Sequence, residues 1–420
     1  MSNIDSYHLL RISRQWLLDS PFEISALEMA KQLTDCGYTN HTVVCYLSCI
    51  SHLAYWAQTE GLTVAQVSHS VIERFIHTHL PTCRCAPRCQ KSVNSVRAAV
   101  LFWQRVALSN GLVVEPPDNL TPFIRNELSA FREYLNEVRG LQPSTCFSRV
   151  QHVSDFLISQ FEDRPVSIRL LKPMNISDYM MHRCKSLKPA TIKVVCVALS
   201  SYLRFKAIDG ASTTSLIAGL PKVAQWRQAS LPKALSTEEL NTLLSAFDQR
   251  TSGGQRDYAI ARCYVDLGLR TSEILRLTLD DIDWRQGVVR IRSKSARVDS
   301  LPLPKTTGEA IARYLTHRDN EHATRALFLR LSPPLNRAAT ADTIRGSLRN
   351  AAKRCGLSSR LTGPHRLRHT LAIRLVNSGV SLKENSDLMR HRDLDTTTIY
   401  AKADMKALAT VTSAWPEKFS

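Results

Sequence analysis

Long apolar runs are missing from this chain. No stretch approaches the roughly 20 consecutive apolar residues that a helix needs to cross a bilayer, and the opening MSNIDSYHLLRISRQW lacks the basic, apolar and small-residue zones of a secretory signal. No membrane partner and a cytoplasmic, nucleoid-associated location in a bacterium are expected. Glycine and proline are scarce, 15 and 18 in 420 residues, which excludes collagen-like and low-complexity chains. The 11 cysteines are odd in number and scattered from Cys36 to Cys355, a pattern of reduced thiols in cores rather than of a disulfide framework. Neither a phosphate-cradling Walker loop nor an HExxH metal helix is present. Acid is in short supply: 37 Asp and Glu stand against 55 Lys and Arg, for a formal net charge of +18. A field of that sign draws polyanions, and nucleic acid or an anionic membrane surface becomes the partner that charge alone suggests.

What is present is a globular composition, 44% apolar and 22% charged, on a chain long enough for two or three cores. Turn formers interrupt helical periodicity at VVEPPDNLTP (113–122) and at GLPKVAQWRQASLPKALSTEE (219–239). Three domains follow: 1–117 and 118–228, both helical, and 229–420. The first two share landmarks about a hundred residues apart. Gly37, Thr42, Cys45, Cys49 and Leu53 run parallel to Gly140, Thr145, Phe147, Val153 and Phe156; VIERFIHTHL lies against NISDYMMHRC. A duplicated helical module suggests one duty done twice, such as gripping successive turns of a duplex; the apolar patterning common to short helical bundles would give the same landmarks without duplication. Ser236-Thr237-Glu238-Glu239 is a capping box that opens the third domain. Helices are expected around 236–249 and 255–267, then two strands, 287–293 and 297–304, with Lys294 at their turn, and helices again from 306 to about 411. About +11 of the net charge falls in this last domain, interleaved with apolar residues.

Pro364-His365-Arg366-Leu367-Arg368-His369 opens a helix on which His365 and Arg368, three apart, share a face. Alone, a His-x-x-Arg pair is as well explained by a capped surface helix. Read in order, however, the C-terminal half gives Gly268-Leu269-Arg270 with Glu273, then Lys294, His365 and Arg368, His391, and Tyr400 in LDTTTIYAK. This series resembles the tyrosine recombinase (phage integrase) family, whose signature is an Arg in a GLR-x-x-E turn, a hairpin Lys, an HxxRH helix, a later His or Trp, and a Tyr just beyond. The resemblance is close over 236–404; 120–225 looks like that family's helical core-binding domain, and IYAKADMKAL with the long N-terminal extension looks like recombinases of transposons and trio-recombinase elements.

The resemblance implies a mainly α fold with a small antiparallel β-hairpin sheet: SAM-like helical modules followed by the DNA breaking-rejoining catalytic domain. It implies site-specific cleavage and rejoining of double-stranded DNA through a 3′-phosphotyrosine, without cofactor or catalytic metal. A homotetramer on DNA is the implied assembly, with sister recombinases or accessory DNA-bending proteins as further partners. The implied residues suit the chemistry. Two guanidinium forks, Arg270 and Arg368, clamp non-bridging phosphate oxygens; His365 exchanges the nucleophile's proton and His391 donates a hydrogen bond to the phosphate. Lys294 is the candidate general acid for the departing 5′ oxygen, and Tyr400, whose free pKa is about 10, is the nucleophile in a positive field.

Three positions depart from that pattern: Arg390 stands where Gly is common, Asn385 where an apolar residue is usual, and the hairpin reads SKS instead of GKG. They keep open a second reading, a catalytically weakened DNA-binding or architectural subunit; a type IB topoisomerase, with the same chemistry, is a third. His77, His79, Cys83, Cys85 and Cys89 offer zinc-ligand types, but their spacing is not a standard pair, and a basic loop with reduced thiols is the expected reading. The tail from Met405 to Ser420, with Leu408, Val411 and Trp415, is suited either to packing on its own domain or to reaching a neighbouring protomer.

Overall fold

The computed structural model describes residues 4–18, 20–85, 92–113, 120–222, 234–292, 298–318, 324–390 and 400. Lys294, His391, Cys89 and the tail beyond Tyr400 lie outside them. The chain divides into two compact units, one of residues 1–61, 79–106 and 227–420, the other of 62–78 and 107–226.

In chain order the helices are α1 (Arg11–Leu17), α2 (Glu23–Asp35), α3 (Asn40–Thr59), α4 (His69–Arg74), α5 (Leu80–Thr82), α6 (Val93–Ser109), α7 (Pro122–Glu133), α8 (Pro143–Phe161), α9 (Pro173–Cys184), α10 (Pro189–Ile208) and α11 (Thr214–Ala218). The parallel in sequence between residues 37–111 and 140–210 returns as a parallel in elements. A left-handed glycine, Gly37 or Gly140, precedes the long helix α3 or α8; a left-handed residue, Gly61 or Glu162, follows it; a short 3-10 turn comes next, at Val64–Gln66 or Ile168–Leu170. Another long helix, α6 or α10, then stops at a left-handed glycine, Gly111 or Gly210. Residues that tolerate positive φ are the ones that end helices sharply. In the second unit α7, α8, α9 and α10 each start on a proline, whose missing N–H is no loss in the first turn. Their inward faces build one core around Phe131, Phe156, Leu157 and Tyr202, all essentially inaccessible.

The described part of the third segment follows the sequence expectation, except that residues 324–340, expected to be helical, form bends and isolated bridges. The Ser236 box is formed in both directions: the Ser236 hydroxyl accepts from the Glu239 amide at 3.1 Å and the Glu239 carboxylate from the Ser236 amide at 2.8 Å. It opens α12 (Thr237–Ser245), followed by α13 (Ser252–Leu267) and α14 (Thr271–Ile274). Strands β1 (Ile282–Asp283), β2 (Val288–Arg292) and β3 (Val298–Pro302) pair antiparallel in the order β1-β2-β3. Val289 and Ile291 point from β2 into the core while Arg290 and Arg292 face out. The two-residue strand β1, registered Ile282 to Val289, was not foreseen. Helices α15 (Lys305–Thr316), α16 (Ala341–Arg354), α17 (His365–Asn377) and α18 (Leu382–Leu388) complete the segment. Within the first unit the α2–α3 turn meets the 330–338 loop. The Leu335 amide donates to the Cys36 carbonyl at 3.0 Å, and a Cβ on Gly37 (φ +81°) would fall 2.7 Å from Leu335 Cδ1, so glycine is required there.

Candidate active site

The site is assembled from three chain segments. Helix α13 ends at Gly268, whose φ of +57° turns the chain so that Arg270 caps α14. Side chains cannot replace this glycine: a Cβ would sit 2.8 Å from Met389 Sδ and 3.0 Å from Leu371 Cδ2. Arg270 is held by Glu273, its amide donating to one carboxylate oxygen at 2.8 Å and its Nη1 to the other at 2.7 Å. Its Nη2 reaches the Arg390 carbonyl at 2.8 Å. Glu273 thus braces the arginine three residues before it.

Helix α17 supplies the second segment. His365, Arg368 and His369 fall three and four residues apart and share one face, while Leu367, Leu371 and Ala372 are buried. Arg368 is only 3% exposed and its fork donates to the carbonyls of Gly268 and Met389. Those anchors fix the plane of the guanidinium before any ligand arrives, which is how a preorganised clamp lowers the cost of binding a developing anion. Burial, then Arg270 and Arg390, push the Arg368 guanidinium down to about 9, so it remains a cation at neutral pH.

The third segment bears Arg390 and Tyr400. Arg390 has φ +52°, a backbone state that favours glycine, the residue common at this position in the family the sequence resembles. Its side chain folds inward: Nη2 pairs with Glu273 at 3.0 Å and reaches the Gly268 carbonyl at 3.2 Å, while Nη1 donates to the Leu388 carbonyl at 2.8 Å. Arg390 therefore joins the arginine cluster. Burial raises the Glu273 carboxyl, but Arg390 and then the Arg270 amide and guanidinium outweigh it and hold the group below the ordinary carboxylate value. Arg270 and Arg390 thus pair with one carboxylate while Arg368, beside them, contacts carbonyls and no acidic partner among the described residues, an excess of positive charge suited to a phosphodiester. Asn385 is fully buried, and its Nδ2 donates to the Ala372 carbonyl at 2.8 Å.

Tyr400 is 1% exposed and its hydroxyl lies 2.7 Å from His369 Nδ1. Burial raises the phenol to about 12 although Arg368 pulls the other way. The positive field alone does not ionise it; a base is needed. His369 is desolvated, and His365, Arg368 and Arg366 press on it further, so its pKa falls to about 4 and the ring is neutral at physiological pH. A neutral imidazole is the form able to accept the phenolic proton. His365 is exposed at the mouth of the site, its ring stacked near His369 with centroids 5.8 Å apart. Partial desolvation, then Arg368 and Arg270, hold its pKa below the usual value.

Four of the six residues expected from sequence, Arg270, His365, Arg368 and Tyr400, converge here, while Lys294 and His391 lie outside the described residues. His369 and Arg390 join them. His369 stood inside the HxxRH motif, but no spacing rule says which of two imidazoles one turn apart meets a tyrosine from another segment. Among the described residues no group of His, Cys, Asp and Glu converges on this site to hold a metal.

A buried tyrosine set on a neutral histidine among fixed arginines has the chemistry suited to transfer of an anionic group. Comparison with known proteins is specific about which class. The model of the phage integrase family matches residues 233–407. The chain is 31% identical over 400 residues to the putative integrase/recombinase y4rA of Sinorhizobium fredii, 95% of each chain being covered. It is 32% identical over 186 residues to tyrosine recombinase XerC of Thermodesulfovibrio yellowstonii, covering 43% of this chain and 62% of the relative. Among solved structures, XerH site-specific recombinase bound to palindromic difH substrate aligns with a TM-score of 0.54 at 17% identity, over 95% of this chain and 98% of that one. The Tn1549 transposon integrase in complex with transposon right end DNA aligns with a TM-score of 0.53 at 19% identity, over 67% and 99% respectively. The chain belongs to the phage integrase family, the tyrosine recombinases, and is a site-specific DNA recombinase.

Proposed function

We propose that this recombinase cleaves and rejoins duplex DNA with Tyr400 as nucleophile, in the integration, excision or transposition of a mobile element. The observation that carries the reading is the 2.7 Å contact between the Tyr400 hydroxyl and His369 Nδ1, beside the anchored Arg368. Tyr400 Oη attacks the scissile phosphorus, its proton passes to His369, and the bond from phosphorus to the 5′ oxygen breaks. A 3′-phosphotyrosine and a 5′ hydroxyl result, the hydroxyl receiving its proton from Lys294. Because the phosphotyrosyl bond keeps the energy of the broken one, attack by another 5′ hydroxyl reverses the step without an external energy source. Arg270 and Arg368 clamp the non-bridging oxygens, and His365, at the mouth, and His391 donate to the same phosphate.

DNA grip outside the site falls to basic surfaces. In the second unit a groove of ≈ 370 Å³ is lined by Arg139, Arg149, Lys193 and Arg204 among Cys196, Val197, Ser200 and Ser201. Such a groove suits phosphate contacts that position the duplex without reading its sequence. The architecture proposed is an N-terminal helical module (1–117), a core-binding module (118–228) and a catalytic domain (229–420), assembled as a homotetramer at the synapse.

Nicked suicide duplexes built from the ends of the protein's own element test the reading. A covalent protein–DNA adduct on denaturing gels is expected with the wild type and is absent with Tyr400→Phe. DNA binding without an adduct at any end would replace the reading with that of an architectural subunit.

A further inference from the structure

Away from the catalytic residues, in the first unit, four donor atoms from separate chain positions converge. His52 belongs to α3 and is fully buried. His79 ends the π-helical turn Phe75–His79, Cys83 caps α5, and Cys85 follows two residues on. One ligand atom from each of the four lies within 4.8 Å of every other. His52 Nε2 is 3.2 Å from His79 Nε2 and 3.3 Å from Cys83 Sγ, and His79 Nε2 is 3.6 Å from Cys85 Sγ.

We propose that His52, His79, Cys83 and Cys85 form a tetrahedral zinc site that ties the 79–85 segment to helix α3. Around a zinc ion with bonds of about 2.0–2.1 Å to nitrogen and about 2.3 Å to sulfur, neighbouring donors stand roughly 3.3–3.8 Å apart. These three separations come within about 0.3 Å of those edges, and the other donor pairs stay within 4.8 Å. A cation at the centre satisfies all four donors at once. Two imidazoles and two thiolates select zinc over the hard cations that need oxygen ligands; the nitrogens exclude an all-cysteine iron–sulfur cluster, and 3.3 Å from His52 Nε2 to Cys83 Sγ is too short for the histidines and cysteines to sit on different irons. All four positions are filled by side chains, the closed arrangement of a structural site rather than a catalytic one. The thiols lose their protons on binding, so metal retention weakens in acid.

His52 is what sequence spacing alone left out. It lies 27 residues before His79 on an apolar helix, while His77, nearer in sequence, is exposed and pairs with Glu73 at 3.0 Å.

The test is the metal content of the full chain, purified without a metal-affinity tag, by inductively coupled plasma mass spectrometry. About one zinc per chain is expected, falling to trace in His52→Ala and in Cys83→Ser, and unchanged in His77→Ala. Should the variants fail to fold, the wild type is titrated with a strong chelator while zinc release and thiol reactivity are followed together. Release of one zinc with two cysteines newly exposed to a thiol reagent supports the site. A wild type that carries no zinc after growth in zinc-supplemented medium, and takes up no cobalt when reduced, overturns it; so does a Cys83–Cys85 disulfide found in the freshly purified protein, or loss of the metal in His77→Ala.

Discussion

Two pairs of histidines sit in this molecule in opposite company. His52 and His79 meet across 3.2 Å with two cysteine sulfurs close by. His365 and His369 stack one turn apart on α17 beside Arg368, and desolvation together with His365, Arg368 and Arg366 keeps His369 neutral with a pKa of about 4. The same side chain is a soft donor to a cation in the first place and a proton acceptor for a phenol in the second. What decides is the charge of the neighbours. A cluster of guanidinium groups repels a metal ion and attracts a phosphate, whereas thiolates do the reverse.

The comparison breaks if changes at one pair are felt at the other. The largest effect belongs to Tyr400→Phe, which is expected to lower cleavage by on the order of 10⁴-fold or more, measured as adduct formation, with DNA affinity unchanged. His369→Ala comes next, with a loss of roughly 10²–10⁴-fold in cleavage rate, while His52→Ala lowers the thermal unfolding midpoint and leaves the single-turnover rate at a permissive temperature within about 3-fold of wild type. Comparable losses of rate in the two alanine variants would dissolve the distinction.

The pH dependence of stability sharpens it. His369 has a folded pKa of about 4 against an ordinary 6.5, so between those values the unfolded chain binds more protons. Stability therefore rises with pH across that window and is lost as pH falls through it. Denaturant titrations should show His369→Gln to be less sensitive than wild type between about pH 6.5 and 4. Smaller effects lie outside both pairs. Arg149→Ala and Lys193→Ala in the basic groove should each weaken DNA binding and reduce the slope of log affinity against log salt by about 1. Asn385→Leu, replacing a buried amide by an apolar group of similar size, should shift stability by less than about 1.5 kcal/mol, measured by chemical denaturation.

Much of this was legible in the sequence because it is written in short spacings. The capping box at Ser236, the glycine turn before Arg270 and the three-residue step from His365 to Arg368 are local geometry, and local geometry follows from φ preferences and the helical period. What sequence did not give depends on contacts between distant segments. Strand β1 is two residues long and exists only through its pairing with β2. The inward turn of Arg390 requires both a left-handed backbone and the carboxylate of Glu273, 117 residues earlier. His52 became a ligand candidate only when α3 brought it to His79. The parallel between the two helical modules was visible as repeated landmarks, yet their chemistry differs: residues 1–117 carry nine Lys and Arg against eight Asp and Glu, and residues 118–228 carry fifteen against nine. The shared duty suggested by duplication is thus unequal, with the second copy better charged to hold a phosphate backbone.

The central claim is that one buried phenol performs the cut. Trapping the full-length protein on a suicide duplex, digesting the adduct with protease and nuclease, and locating the nucleotide-bearing peptide by mass spectrometry tests it most directly. A single modified residue, Tyr400, is expected on the peptide that contains TTTIYAK; a nucleotide on any other tyrosine, or an adduct that survives Tyr400→Phe, would assign the cut to another group.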